Sequence, residues 1–138
     1  MTILGLDVGS SSVKAGIVHN GQILSPLARD TYPTHFDGPK VEVDPQKVLK
    51  AIAHAIKELG PAAKKVDAIG LSVMSPAWLA MDKHGKPLTR LITHQDRRSV
   101  QIAHDLENRF GMQKFLNIAG NRPFPGGISI TTLVWHIK

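Results

Sequence analysis

The sequence predicts a mixed α/β domain, in which a sheet that opens with an antiparallel meander is flanked by helices. Three β-prone runs, at residues 3–7, 14–19 and 22–29, follow one another with short connections. The second turn, His19-Asn20-Gly21, carries the Asn-Gly pair that favours a two-residue hairpin. Apolar residues then recur at helical spacing after residue 44. With 138 residues, of which 42% are hydrophobic, the chain can bury a core of ordinary size.

The first predicted helix has clear start and stop signals. Asp44 can cap the free N–H groups of the first turn, and Pro45 suits the first helical position. Gly60-Pro61 ends the pattern. The apolar face predicted for this helix comprises Val48, Leu49, Ile52, Ala55, Ile56 and Leu59. The loop expected before it contains Pro26, Pro33, Gly38 and Pro39.

The second half of the chain is predicted to contain short strands followed by helices. The strands expected are a buried one over 67–73, another over 78–81 closed by a turn at 82–87, and a third over 91–93. Helices are expected over 100–110 and 112–119, ended by Gly111 and Gly120, and again from Ile130.

Composition and charge exclude several classes of function. There are no cysteines, so neither a disulfide framework nor a thiolate metal site can form. The net charge of +6 comes from scattered basic residues without interleaved aromatic residues, so no nucleic-acid partner is expected. No apolar run approaches the roughly 20 residues that a membrane helix needs, and no signal peptide is visible. We therefore expect a cytoplasmic protein without a membrane partner.

The stretch with the clearest chemistry is the predicted turn between the first two strands. Asp7 lies at the end of the first strand, and Gly9 and three consecutive serines, Ser10, Ser11 and Ser12, follow it. Glycine permits left-handed backbone angles and close approach of a ligand, and successive N–H groups in a tight turn form an anion-binding concavity. A carboxylate beside such a turn can hold a hydrated Mg²⁺. The alternative is an ordinary hairpin with a buried aspartate.

This pattern, Gly-x-Asp-x-Gly-Ser, resembles the phosphate loop of the actin, hexokinase and Hsp70 ATPases, and most of all that of the FGGY carbohydrate kinases. Residues 69–82, 91–98 and 119–135 resemble further segments of the same family, in the same order. The resemblance covers essentially the whole chain. It implies an actin-like ATPase domain, which is ribonuclease H-like in fold. It also implies transfer of the γ-phosphate of MgATP to a hydroxyl of a small sugar or polyol.

The resemblance also implies roles for individual residues. The residues implied to bind ATP are Asp7, Gly9, Ser10, Ser11, Ser12 and Lys14, with Asp7 holding Mg²⁺ through water. Those implied to bind the sugar are Met74, Ser75, Pro76, Trp78, His94, Gln95, Asp96 and Arg97. Four of these residues have plainer alternatives: Lys14 as an exposed strand lysine, Met74 and Trp78 as packing residues of the core, and Asp96 as part of a structural ion pair. The catalytic base has no counterpart in this chain and is expected downstream.

Departures from the family pattern leave the substrate open. His94 stands where the family usually has tryptophan, and Met74-Ser75-Pro76 replaces the Gln-Met-His of xylulokinase-like members or the Asn-Gln-Arg-Glu of glycerol kinases. FGGY kinases have two actin-like domains, so residues 1–138 are expected to form the first part of the N-terminal domain and to be inactive alone. Self-association into a homodimer is expected through the apolar final segment, residues 133–137.

Two other classes of function stay open at this point. RNase H-like nucleases and Holliday-junction resolvases also open with a strand of the form Leu-Gly-[LI]-Asp-x-Gly-[ST], and the positive charge suits DNA. Such enzymes need several carboxylates around one site, whereas Asp67, Asp82 and Asp96 fit the kinase pattern better. A non-catalytic actin-like binding module would share the opening hairpin, and the length of the source reading frame would distinguish it from a kinase.

Overall fold

The computed structural model describes residues 1–127 and 129–138, which form two compact units. The first unit comprises Met1–Thr34 and Val43–Met74, and the second comprises His35–Glu42 and Ser75–Lys138. The strands are β1 (Thr2–Val8), β2 (Ser12–His19), β3 (Gln22–Thr31), β4 (Thr34–Asp37), β5 (Lys40–Val43), β6 (Ala68–Val73) and β7 (Leu91–Ile92). The helices are α1 (Pro45–Glu58), a 3-10 helix over Gly60–Lys64, α2 (Val100–Phe110), α3 (Met112–Ala119) and α4 (Ser129–Ile137). Across the described residues, no helix is long and apolar enough to cross a membrane.

The first unit is built on a four-stranded sheet with the strand order β3-β2-β1-β6. β2 pairs antiparallel with both β1 and β3, and β6 joins β1 in parallel. The predicted antiparallel meander is confirmed, and its first hairpin occupies the two central positions of the sheet. The mixed sheet and the helices of the chain confirm the predicted fold class.

α1 begins at the predicted position and packs against β2 and β3. Asp44 Oδ1 accepts a hydrogen bond from the Gln46 N–H at 2.8 Å, which caps the first turn. The helix buries Val48, Ala51 and Ala55. The predicted apolar face is wrong at Leu49, which is 57% exposed. Successive helical residues point about 100° apart, so a stripe that buries residues 48, 51 and 55 leaves residue 49 outside it.

β6 is an exposed edge strand and not the buried strand that was predicted. All of its residues are exposed, and its apolar side chains Ile69, Leu71 and Val73 are at least 60% exposed. Among the described residues, β1 is its sole strand partner, and α1 packs against β2 and β3 instead. The apolar run therefore predicts the strand correctly but not its burial, because burial depends on what packs over the sheet.

A second sheet has the order β4-β5-β7. β4 and β5 form where a loop was predicted, whereas β7 lies within the strand predicted over 91–93. Gly38 lies between β4 and β5 with a φ of +53°, so it belongs to a hairpin turn. The expected strand over 78–81 is also wrong: these residues are all described, and they form only isolated bridges. The reason is that Trp78 bridges Ile92 of the two-residue strand β7 whereas Met81 bridges Pro87, so these residues join no continuous ladder.

The last three helices lie where they were predicted. α2 and α3 end at Gly111 and Gly120, and Gly120 adopts the left-handed conformation with a φ of +70°. α4 exposes Leu133 and Ile137. Self-association through this segment stays a prediction.

Candidate functional site

The turn between β1 and β2 is closed by a hydrogen bond from Gly9 N to Ser12 O at 2.9 Å. Gly9 is not among the described glycines with a positive φ, so the expectation of left-handed angles at this glycine is wrong. A Cβ atom at this position would lie 3.4 Å from Ser12 O. This is the near end of ordinary van der Waals distance, so the two ends of the turn approach each other closely.

The three carbonyl groups of the turn are all engaged by the segment that follows β3. Tyr32 donates its hydroxyl hydrogen to Gly9 O and its backbone N–H to Ser11 O, the latter at 3.1 Å. Thr34 Oγ1 donates to Ser10 O at 3.5 Å. The N–H of a trans peptide points opposite to its carbonyl, so the N–H groups that follow these carbonyls point away from the segment. Successive N–H groups on one side of a turn can bind an anion.

The three serines of the turn differ in which of their N–H and hydroxyl groups are accessible to a ligand. In the part of the chain that the structure describes, the N–H groups of Ser10 and Ser11 have no acceptor. The Ser11 side chain is exposed and that of Ser10 is half-buried, so both hydroxyls can be reached. The Ser12 side chain is buried, at 7% exposed. Ser12 therefore contributes to the turn mainly through its backbone.

Asp7 and Lys14 face each other across β1 and β2, and Lys14 Nζ lies 2.8 Å from Asp7 Oδ2. The hydrogen bond from Lys14 and then its positive charge hold the pKa of Asp7 below its usual value, so this carboxylate is ionised at neutral pH. Both side chains are about half exposed. Lys14 is thus an exposed strand lysine, which was the alternative to a role in ATP binding. It is also paired with Asp7, the carboxylate predicted to hold the metal ion.

The residues at this turn fit a magnesium ion bound mainly by phosphate oxygens and water. Mg²⁺ usually keeps several waters and takes one or two carboxylates, so a single half-exposed carboxylate such as Asp7 is a suitable donor. Within the described residues, no group of three or more histidine or acidic side chains could hold a metal ion by itself. A metal ion at Asp7 would therefore depend on oxygens supplied by a bound phosphate.

The second unit contains an open pocket of about 310 Å³ that includes three of the predicted sugar-binding residues. Its lining comprises Pro76, His94, Arg97, Asn121, Phe124 and Pro125. Arg97 Nη1 donates to His94 O and Asp96 O, both at 2.9 Å, which orients the guanidinium group. Among the described side chains, no carboxylate lies within ion-pair distance of Arg97. The pocket thus combines a fixed cation, an imidazole, an amide and apolar surface.

Three other predicted sugar-binding residues lie outside the lining of this pocket. Ser75 and Gln95 are exposed neighbours of residues that line it. Met74 is half-buried in the first unit, where its N–H donates to Val8 O at 2.8 Å. The pocket residues Asn121, Phe124 and Pro125 were not predicted to bind substrate, although the family resemblance included their segment.

Asp96 has the surroundings of a structural residue. Its side chain is 1% exposed, and Oδ2 accepts the Val41 N–H at 2.8 Å. Arg98 donates to both carboxylate oxygens and also to Glu42. Burial would lower the pKa of Arg98, but its hydrogen bonds to Asp96 and Glu42 outweigh that effect and raise it. This geometry favours the ion-pair alternative for Asp96.

Trp78 also has the surroundings of a packing residue. Its ring is half-buried and stacks on the ring of His136, with centroids 4.9 Å apart and planes 17° apart. The Trp78 backbone N–H donates to Ile92 O at 2.9 Å. These contacts favour the core alternative for Trp78.

Gly126 and Gly127, for which the sequence analysis predicted no role, pack closely against the two loops that line the pocket. Gly126 and Gly127 have φ angles of +79° and +74°. A Cβ at Gly126 would lie 2.5 Å from His94 O, and one at Gly127 would lie 2.7 Å from Pro76 O. Only glycine allows this segment to pack against both predicted sugar-binding loops. In the sequence, two adjacent glycines directly after Pro125 are the feature that could have predicted this tightly packed segment.

Comparison with known proteins identifies the family. The model described as the FGGY family of carbohydrate kinases, N-terminal domain, matches residues 2–138. The chain belongs to this family. It is 29% identical over 114 residues to a glycerol kinase from Thermococcus kodakarensis, covering 79% of this chain and 23% of that protein. It is 27% identical over 147 residues to a glycerol kinase from Rhizobium meliloti, covering 99% of this chain and 29% of that protein.

Solved structures of FGGY kinases share the fold. A xyloylose kinase from Brucella ovis matches with a TM-score of 0.88 and 29% identity, covering 98% of this chain and 29% of that one. A gluconate kinase from Lactobacillus acidophilus matches with a TM-score of 0.86 and 25% identity, covering 99% and 28%. The chain therefore has the fold predicted from its motifs, and it spans less than a third of the length of these relatives.

Proposed function

We propose that this chain is the N-terminal part of an ATP-dependent kinase that transfers the γ-phosphate of MgATP to a hydroxyl of a sugar or polyol. The observation that carries the proposal is the 9–11 turn, whose three carbonyls are engaged by the segment after β3 while, among the described residues, the N–H groups of Ser10 and Ser11 have no acceptor. Phosphoryl transfer depends mainly on positioning and on charge stabilisation. A turn that is already arranged to bind an anion supplies both.

In this proposal the phosphate side of the reaction belongs to the first unit. The N–H groups and hydroxyls of Ser10 and Ser11 hold the β- and γ-phosphates, and Lys14 adds positive charge. The backbone of Gly9 and Ser12 closes the turn. Asp7, kept ionised by Lys14, orients the water ligands of a magnesium ion, which neutralises phosphate charge when bound.

The acceptor side is proposed to lie in the pocket of the second unit. His94 and Phe124 provide flat surfaces for a sugar, and Arg97 and Asn121 provide hydrogen bonds to its oxygens. Ser75, Pro76 and Gln95 complete the rim, and Met74 precedes it in the chain. Asp96 and Trp78 support the pocket by holding the loops that form it. The kinases of glycerol, gluconate and xyloylose among the relatives support a polyhydroxylated acceptor.

Other parts of the catalytic machinery are proposed to lie outside residues 1–138. The chain spans 23% to 29% of the relatives described above. We infer that the general base that takes the hydroxyl proton belongs to the remainder of a longer parent protein. The isolated chain would then bind phosphate groups without transferring them.

Steady-state assays of the full-length parent and of the isolated chain test this proposal. Each protein is incubated with MgATP and a panel of polyols, pentoses, hexoses and sugar acids, and ADP formation is followed. Acceptor-dependent ADP formation is expected from the parent and not from the isolated chain. If the parent forms no ADP with any acceptor, the kinase proposal is wrong. Turnover by the isolated chain would show that the catalytic residues lie within residues 1–138.

The nuclease alternative has less support than the kinase. Asp67 Oδ2 accepts the Thr2 N–H at 2.7 Å, at the opposite end of β1 from Asp7. This carboxylate therefore does not join Asp7 in a two-metal site. The family match over residues 2–138 also favours the kinase.

A further inference from the structure

We propose that Tyr32 is a positioning residue for phosphate binding, because its hydroxyl holds the Gly9 carbonyl away from the anion site and so keeps the 9–11 turn in its binding conformation. The inference rests on the proposed function, since it concerns the same turn. Tyr32 directly follows β3 and is the single tyrosine of the chain. Its position, more than twenty residues after the turn, gave no sign of this role in the sequence.

Tyr32 contacts the turn at both ends. Its hydroxyl donates to Gly9 O, and its backbone N–H donates to Ser11 O at 3.1 Å. The contact between Thr34 and Ser10 O, at 3.5 Å, lies at the long limit for a hydrogen bond. Tyr32 therefore makes the shorter contacts, and loss of its hydroxyl would release the Gly9 end of the turn while the backbone contact at Ser11 is kept.

The Tyr32 hydroxyl is held as a hydrogen-bond donor. The side chain is 5% exposed, and burial raises its pKa, with the negative charge of Asp7 adding to the effect. The phenol therefore stays protonated at neutral pH. Without this donor the Gly9 carbonyl is free to rotate, because glycine restricts the peptide least. A carbonyl oxygen turned toward the phosphates would oppose their negative charge.

Titration of the 138-residue chain with inorganic triphosphate, followed through the backbone amide signals of Ser10 and Ser11, tests the proposal. Tyr32→Phe removes one oxygen atom and is expected to weaken triphosphate binding roughly threefold to tenfold, the range for loss of one hydrogen bond. Thr34→Val should have a smaller effect. Thr2→Val is the matched control, because it removes a hydroxyl contact to His19 at the other end of the same hairpin. It should leave triphosphate binding unchanged.

The same variants in the full-length parent provide a kinetic readout. Tyr32→Phe should lower kcat/KM for ATP by a similar factor and leave the KM for the acceptor unchanged, with an unfolding midpoint close to that of wild type. Unchanged triphosphate binding and unchanged kcat/KM for ATP would overturn the proposal, as would an equal loss in Thr2→Val. If the parent is inactive and the wild-type chain binds no triphosphate, the proposed function fails. In that case the amide signals of Ser10 and Ser11 in free Tyr32→Phe still decide whether the hydroxyl holds the turn.

Discussion

Asp7 and Asp96 each pair with a cation, but the two pairs differ in almost every physical respect. Asp7 and Lys14 form a pair whose side chains are 46% and 59% exposed, whereas the Asp96 and Arg98 side chains are 1% and 5% exposed. Lys14 makes one contact to Asp7 Oδ2, while the oxygens of Asp96 accept from Arg98 and from backbone N–H groups. The first carboxylate can exchange its partner for a ligand, and the second cannot without leaving a buried charge unpaired.

This contrast is the reason why we propose different roles for Asp7 and Asp96. Exposed ion pairs contribute little to stability, so the Asp7–Lys14 pair can be used for binding at little cost to the fold. Breaking a buried pair is strongly destabilising, so Asp96 and Arg98 are better suited to holding loops in place. We therefore expect substitutions at the first pair to change activity and substitutions at the second to change stability.

The largest effect on stability is expected at the buried pair. Asp96→Ala leaves Arg98 partly unpaired and the Val41 N–H without its acceptor. It should lower the free energy of unfolding by about 3–5 kcal/mol, measured by urea denaturation. Asp37→Ala, which removes the exposed pair with Lys40, is the control and should cost at most about 1 kcal/mol. Equal losses in the two variants would contradict the comparison.

The exposed pair should show the opposite behaviour in the full-length parent. Asp7→Asn removes the charge that would orient magnesium, so kcat should fall roughly 10²- to 10³-fold, as on removal of one preorganised electrostatic contact. The KM for the acceptor and the unfolding midpoint should change little, because the carboxylate is half exposed. If the main effect is instead a rise in the KM for the acceptor, Asp7 contributes to acceptor binding and its assignment to MgATP is wrong.

A smaller effect is expected in the pocket of the second unit. His94→Ala removes one flat polar surface, so the KM for the acceptor should rise about tenfold, equivalent to one lost polar contact. The KM for ATP should stay near its wild-type value. His104→Ala, at an exposed position of α2, serves as the control and should change neither constant. If His94→Ala mainly weakens ATP binding, the two sites have been assigned the wrong way round.

The smallest effect is a pH dependence near the buried pair. Burial first, and then the charge of Arg98, lower the pKa of His136, although Glu42 and Asp96 act in the opposite direction. A lowered pKa in the folded state means that the stability due to neutral His136 is present above its unfolded pKa, about 6.5, and is lost as the pH falls through the folded value. The urea midpoint should therefore drop on acidification, and less so in His136→Gln. An identical pH profile in both proteins would argue against this assignment.

Local signals predicted well those elements whose bounds are set by neighbouring residues, in both units of the chain. The meander, the Asp44 cap and the ends of α2 and α3 depend on turn residues and on helix capping within a few positions. Signals of the same kind fail for β6, whose apolar residues are exposed, and for residues 78–81, which lack a long partner strand. In both cases the prediction failed because it depended on another part of the chain packing or pairing with the segment.

The sequence by itself determined the hairpin and the serines between its strands, because two β-prone runs around a glycine and serine cluster mark a turn. The register that places Asp7 opposite Lys14 came from the structure. Only the tertiary structure decided that Tyr32 engages Gly9, that Asp96 is buried, and that Asn121 and Phe124 join His94 around a pocket. These contacts join residues more than twenty positions apart. Their formation depends on packing and on satisfying buried polar groups, which no local pattern of residues records.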